Sequence, residues 1–390
     1  MAKSASYKKR IGSFVENRLT KESYKAYCPK PLPPDPAIDF TSFAAQLEAA
    51  QHALGVLDGA SIYSPIIDVF LYCYIRKEAL LSSQIEGTQS TLSDLLLYEN
   101  KELPGVPLED VEEVSNYVAA IRYGISRLRT LPISLRLIRE LHAILLKGTR
   151  GQAKTPGEFR RTQNWIGGRR PSTAIFVPPP PNKMLDCLDE LEKFIHGNEQ
   201  LPALIKIALI HVQFETIHPF LDGNGRLGRL LITLLLIHEK LQKQPLLYLS
   251  LYLKNNRETY YSLLQNVRTH GSWEEWIAFF LKAITETATQ AAQMIVKGEA
   301  LIYKDTAAIE NLGVRKSGTP LVLHKYMQKH LISTIQKASA DLKITQMSIT
   351  KAFMVLSELN IIKEITGRSR GRIFVYKKYF SLIDEGTKPL

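Results

Sequence analysis

Cysteine is scarce in this 390-residue chain: Cys28, Cys73 and Cys187 stand far apart and share no C-x-x-C spacing. That speaks against a disulfide framework and a thiolate zinc site and fits a reducing cytoplasm. Long apolar runs are missing too. Val69-Phe-Leu-Tyr-Cys-Tyr-Ile75 falls far short of the roughly 20 residues a spanning helix requires, so no membrane span is expected. The basic N-terminus (Lys3, Lys8, Lys9, Arg10) is followed by no apolar segment or small-residue cleavage site, so secretion is not expected either. Acidic residues are outnumbered, 38 against 50 Lys and Arg, leaving a net charge of +12. The excess concentrates in residues 316–390, with 13 basic against 5 acidic residues, which suits a nucleic-acid patch or merely a soluble surface.

What is present is ample core, 45% hydrophobic residues, in a chain long enough for two or three compact units. Between two apolar segments of 3.6-residue rhythm lies a polar island, His218-Pro-Phe-Leu-Asp-Gly-Asn-Gly-Arg-Leu-Gly-Arg229. It reads as a helix-to-helix loop. Gly223, Gly225 and Gly228 let main-chain N–H groups converge on an anion, and the following helix adds the positive end of its dipole. Arg226 and Arg229, three apart on one helical face, supply two guanidinium forks for phosphates. Asp222 is the one acid in this basic setting, as suits a carboxylate holding Mg²⁺ beside phosphates. His218 can accept a proton near neutral pH. The letters Gly223 to Gly228 also satisfy G-x-G-x-x-G, but the strand and βαβ frame of a dinucleotide site are missing.

The island resembles the signature of the Fic family, H-x-F-x-[D/E]-G-N-G-R-x-x-R, at every fixed position. The resemblance implies transfer of AMP from ATP to a hydroxyl of a target protein. It gives His218 the part of base, Phe220 that of core anchor and Asp222 that of Mg²⁺ ligand. Asn224 and the glycine amides would cradle the α-phosphate, with Arg226 and Arg229 on the β- and γ-phosphates. Upstream, Ser82-Ser-Gln-Ile-Glu86-Gly87 matches the family's inhibitory motif, in which the glutamate pairs with the second arginine, here Arg229. On physical grounds Glu86 is an oddity, a carboxylate in the last turn of a helix, and Gly87 suits a left-handed C-terminal cap.

The fold expected is all-α, a Fic-type helical bundle with a small β-hairpin flap and a C-terminal winged helix-turn-helix. Residues 1–37 read as a basic, proline-rich arm, 38–115 as a helical region with the inhibitory helix, 116–300 as the catalytic core and 316–390 as the winged helix. A hairpin around Gly167 and Gly168, with Ile175, Phe176 and Val177, resembles the flap that aligns the target's hydroxyl. The family places its adenine pocket near Asn256 and Tyr261, where Tyr260 and Tyr261 could stack on a purine. Separate helices are expected over residues 273–282 and 283–301. In the C-terminal unit Gln346, Ser348 and Lys351 would face a DNA groove, with Arg368, Arg370 and Arg372 on the wing. Two other readings stay open: a DNA-binding regulator with an inactive core, and a phosphodiesterase that removes AMP with Glu86 orienting water. So does a homodimer.

Overall fold

A computed structural model describes residues 7–19, 22–99, 106–197, 200–367 and 371–389. The first surprise is a hairpin, β1 (Ser13–Leu19) and β2 (Glu22–Cys28), paired antiparallel from Ser13 opposite Cys28 to Leu19 opposite Glu22. It corrects the reading of residues 1–37 as a basic, proline-rich arm. No Asn-Gly or Asp-Gly pair marks its turn, and a lone two-stranded hairpin is marginal in water. Docking supplies the missing burial: Tyr24 and Ala26 pack with Val177, Trp165 and Ala174, and the Tyr27 N–H donates to the Val177 carbonyl at 2.9 Å.

Helices then dominate: α1 (Ala44–Tyr63), α2 (Ile67–Ile85), α3 (Leu92–Glu99), α4 (Leu108–Arg127) and α5 (Leu135–Leu145). Glu109 and Asp110 place acids in the first turn of α4, favourable at the positive end of its dipole. The boundary expected at residue 115 falls inside that helix. After a loop-rich stretch come α6 (Pro181–His196), α7 (Ala203–Ile217), α8 (Asn224–His238), α9 (Ser250–Asn255), α10 (Arg257–His270) and α11 (Trp273–Glu310). The expected helices over 273–282 and 283–301 are one 38-residue rod, α11, about 57 Å long at 1.5 Å per residue. No glycine or proline interrupts it near Lys282, and α1 packs along it. Buried alanines on both helices, Ala50 and Ala53 against a face containing Ala288 and Ala291, suit a close approach of the axes. Apart from the small cluster under the hairpin, the buried apolar residues form one large core with α7 buried on nearly all sides, and Trp276 of α11 donates its indole N–H to the Ala208 carbonyl at 2.9 Å.

The C-terminal unit runs α12 (Val314–His330), β3 (Ile332–Thr334), α13 (Ile335–Leu342), α14 (Gln346–Glu358), β4 (Ile362–Glu364), β5 (Ile373–Tyr376) and α15 (Lys377–Asp384). Its sheet is antiparallel, in the order β3-β5-β4. Thr334 and Thr345 cap α13 and α14 by accepting from the Lys337 and Ser348 N–H groups. Arg368 and Arg370 lie outside the described residues. Among the described residues no helix is long and apolar enough to cross a membrane.

Arg10 fastens the N-terminal segment to this body. Its Nη1 meets Glu274 at 2.8 Å, both side chains being buried, and its Nε and Nη2 reach the carbonyls of Pro36 and Ala37. Removing one member of a buried pair strands the other charge. Arg10→Met should therefore cost about 3 kcal/mol of unfolding free energy in urea titrations, far more than a typical surface substitution.

Candidate active site

The polar island joins α7 to α8 through a turn that is strained at its first residue. His218 caps α7 with a left-handed φ of +49°, and Gly223 opens α8 at +76°. A non-glycine residue in that region needs support from its surroundings. Arg160 provides it from the flap side: Nε donates to the His218 carbonyl at 3.0 Å, its main-chain N–H to Pro219 at 2.9 Å, and its Nη atoms to Ile217, Thr162 and Pro179. Asn164 donates to the carbonyls of both His218 and Phe220, at 3.2 and 2.9 Å. Phe220 is fully buried and stacks on His142 with ring centroids 3.7 Å apart. His142 accepts from the Gly157 N–H at Nδ1 (2.8 Å) and donates from Nε2 to the Asp222 carbonyl (2.9 Å). Burial pushes its pKa down to about 4 and so keeps the ring neutral.

The Asn224 side chain both accepts from and donates to the Phe220 main chain, at 2.9 Å each, and so braces the loop.

His218 is suited to act as a base. Its Nδ1 lies 3.4 Å from the Glu215 carbonyl, an acceptor only, which puts the ring proton on Nδ1 and leaves the Nε2 lone pair free. Burial, then the cations Arg268 and Arg160, push its pKa down to about 4. It is therefore neutral at pH 7. Arg268 is held by the Thr216 hydroxyl and the Glu215 carbonyl and lies 4.0 Å above the Phe176 ring. The Glu215 carboxylate, 4.0 Å from His218 Nδ1, is buried, and its Oε1 has no partner. Burial raises its pKa to about 7, the Glu86 charge adds to the rise, and Arg229 and Arg268 offset part of it.

The two arginines of the nest are buried and each faces a carboxylate. Arg226 Nη1 meets Glu113 of α4 at 2.9 Å, and Glu113 also holds Arg150 at 2.8 Å. Asp222, 3.7 Å from Arg226 and 45% exposed, accepts from the Gly223 N–H at 2.6 Å. Among the described residues no three His, Cys, Asp or Glu side chains cluster as for a resident metal. One open carboxylate fits Mg²⁺ that arrives with a polyphosphate, whose oxygens and waters complete the shell.

Arg229 is engaged from α2. Ser82 receives its Nε and Nη2 through Oγ and the main-chain carbonyl, both at 2.9 Å, and Glu86 Oε1 lies 2.6 Å from Nη2. A Schellman turn aims Glu86: the Thr88 N–H donates to the Ser83 carbonyl and the Gly87 N–H to the Gln84 carbonyl, with Gly87 at φ +101°. The carboxylate comes to rest on Gly225, where an added Cβ would sit 2.3 Å from Oε1. An anion thus already occupies the start of α8. Burial alone would raise the Glu86 pKa, but Arg229, its hydrogen bond and then Arg226 bring it below the usual carboxylate value.

Around this centre, Tyr261 is partly exposed and electrostatically coupled to Glu86 and Arg229, and Asn256 sits in the break between α9 and α10, donating to the Tyr252 carbonyl at 2.9 Å. Tyr260 leaves the purine-stacking candidates: it is buried, with its hydroxyl 2.8 Å from His211 Nε2. The flap is slighter than the hairpin expected. One antiparallel bridge joins Ile166 to Phe176, and Gly167 and Gly168 turn the chain at positive φ. Ile175 is 73% exposed, whereas Phe176 and Val177 face inward and anchor the flap. The sequence reading missed His142, Arg160, Asn164, Glu113 and Arg268, whose partners lie far off in the chain. Glu215 alone left a sign, a carboxylate in an apolar helix.

The Fic/DOC family model matches residues 132–236, and the Fic/DOC family N-terminal model residues 44–126. Protein adenylyltransferase Fic of Drosophila grimshawi is 32% identical over 158 residues, 39% of this chain and 31% of that protein. The Drosophila virilis protein of that name matches with the same identity and coverage. The chain thus spans about a third of the length of these curated relatives. A solved Fic family protein from Desulfovibrio desulfuricans shares the fold, with a TM-score of 0.57 and 17% identity, covering 88% of this chain and 98% of that one. A Fic domain containing signaling protein from Bacteroides thetaiotaomicron covers 65% of this chain and 96% of its own, with a TM-score of 0.51 and 18% identity.

The buried Glu215 carries a pH signature. Its folded pKa, about 7, lies above the ordinary 4.5, so its contribution is fully present below pH 4.5 and is lost as pH rises through 7. Relative to Glu215→Gln, the natural chain should lose up to ~3 kcal/mol between pH 4.5 and 7.5, at 1.36 kcal/mol per unit, in urea unfolding at stepped pH.

Proposed function

Because the chain belongs to the Fic family, we propose that it is a protein adenylyltransferase that moves AMP from ATP to a Ser, Thr or Tyr hydroxyl of a target protein or of itself. The observation that carries this reading is the gathering of a neutral imidazole, an open carboxylate and two buried guanidiniums at the glycine-rich start of α8.

In this reading the triphosphate takes the place of the Glu86 carboxylate. The main-chain N–H groups around Gly223 to Gly225 and the forks of Arg226 and Arg229 face its charge. Tyr261 and Asn256 border the base, and the exposed Ile175 at the flap meets the target. The target hydroxyl gives its proton to His218 Nε2 and its oxygen bonds to the α-phosphorus. The bond to the bridging oxygen breaks, and pyrophosphate leaves with the electron pair. Mg²⁺ held by Asp222 would offset phosphate charge during the transfer. The protein's share is positioning and preorganised charge, as suits phosphoryl chemistry.

Glu86 is the brake. While it occupies Arg229 and overlies Gly225, the fork meant for the γ-phosphate is taken, and the chain rests in a weakly active state. The C-terminal unit we read as a winged helix-turn-helix. Beside Gln346 and Lys351, α14 exposes Met347 and Met354, 70% and 55% accessible, and those apolar neighbours favour a protein partner over DNA.

Incubation with ATP labelled at the α-phosphate tests the whole reading. Glu86→Gly should raise labelling of the protein itself about tenfold or more, the scale of a coupling free energy near the middle of the usual range. His218→Ala in that background should lower it by roughly 10²-fold or more, as for loss of a general base. No rise in Glu86→Gly removes the brake, and undiminished labelling without His218 removes the base.

A further inference from the structure

The last turn of α2, which presents both Ser82 and Glu86 to Arg229, is itself gripped from the far end of the chain. Gln84 lies buried on the opposite flank of that turn. Its Nε2 donates to the Thr387 carbonyl at 2.7 Å and to the Ser90 carbonyl at 2.9 Å. Its Oε1 accepts from Lys254 Nζ at 2.7 Å. The same buried ammonium of α9 also donates to the carbonyls of Gly386, at 3.3 Å, and Lys388. The Lys254 charge is met by one side-chain amide and two main-chain oxygens of the C-terminal segment.

That segment is shaped for the task. Gly386 has φ +78°, and an added Cβ would sit 2.8 Å from Leu251, so the backbone lies directly on α9. Thr387 is buried and folds back on Asp384 through its N–H at 3.0 Å and its hydroxyl at 2.9 Å. Behind it α15 packs on α2, with Tyr379 edge-on to Phe70 at 6.1 Å, and α15 continues directly from β5. A second buried link, Glu78 of α2 accepting from the Ser250 N–H at 3.0 Å, ties the start of α9 to the same helix.

We propose that residues 386–388 are a latch: they clamp Gln84 and Lys254 and so hold Glu86 in its inhibitory seat on Arg229. The latch rests on the reading of Glu86 as a brake. The turn from Ser82 to Gly87 sets where the Glu86 carboxylate lies, and a shift of that turn breaks the bonds between Gln84, Lys254 and the tail. Whatever moves α15 or displaces the tail therefore loosens the brake without touching the nucleotide site. The C-terminal unit becomes its input.

The test compares the full chain with one ending at residue 385 and with Gln84→Met, each with and without Glu86→Gly, by self-labelling and by hydrogen exchange over residues 80–88. Both latch variants should raise labelling about fivefold and speed exchange in that segment, and neither should add to Glu86→Gly. A cooperative thermal transition in each variant shows that it folds. Unchanged labelling in folded variants whose Glu86→Gly counterpart is activated overturns the latch. An equal rise on top of Glu86→Gly overturns it as well, since the tail would then act elsewhere. If Glu86→Gly itself gives no rise while exchange still quickens, the brake reading fails and the physical clamp stands.

Discussion

A single ion pair organises the centre of this molecule. Arg229 is buried where α8 begins, and a buried guanidinium needs anionic and polar partners to offset the water it has lost. The chain meets that need from within, with Ser82 and Glu86 at the end of α2. Supplying those partners internally fills the anion site that the glycines of the island create. In the proposed function stability and activity compete for one cation, and the brake would follow from the same electrostatics that would bind phosphate.

The second constraint is the shape of the loop. His218 keeps a left-handed backbone because Arg160 and Asn164 meet its carbonyl while Asn224 and His142 pin Phe220 and Asp222. These side chains bind main-chain groups and so set the loop's geometry, and the Arg160 charge also helps keep the His218 ring neutral. Strain at a residue such as His218 is sustained when its surroundings determine it this fully. The hairpin of β1 and β2 extends the arrangement outward: it closes over Val177 and thereby steadies a flap that one bridge would hold poorly.

How much of this could be read from the sequence depends on how local the signal was. The island and the Ser82 to Gly87 motif are contiguous, so their glycines, charges and helix ends declare themselves by spacing. Glu113, His142 and Arg160 were not legible, because their partners lie 113, 80 and 58 residues away and nothing in their neighbours marks them. The hairpin escaped notice because its stability comes from Val177 and Trp165 in a distant loop. Glu215 sat in between: an acid among apolar residues was visible, while its closeness to His218 was a matter of how the helix ends.

In the proposed function Arg229 exchanges one anion, the Glu86 carboxylate, for another, the γ-phosphate. A crystal structure of the Glu86→Gly chain with a non-hydrolysable ATP analogue and Mg²⁺ tests that exchange directly. The expected result is the γ-phosphate on Arg229, the α-phosphate over the Gly223 to Gly225 amides within reach of His218 Nε2, and Asp222 on the metal. A triphosphate bound elsewhere, or Arg229 still turned toward Ser82 with the nest vacant, would contradict it.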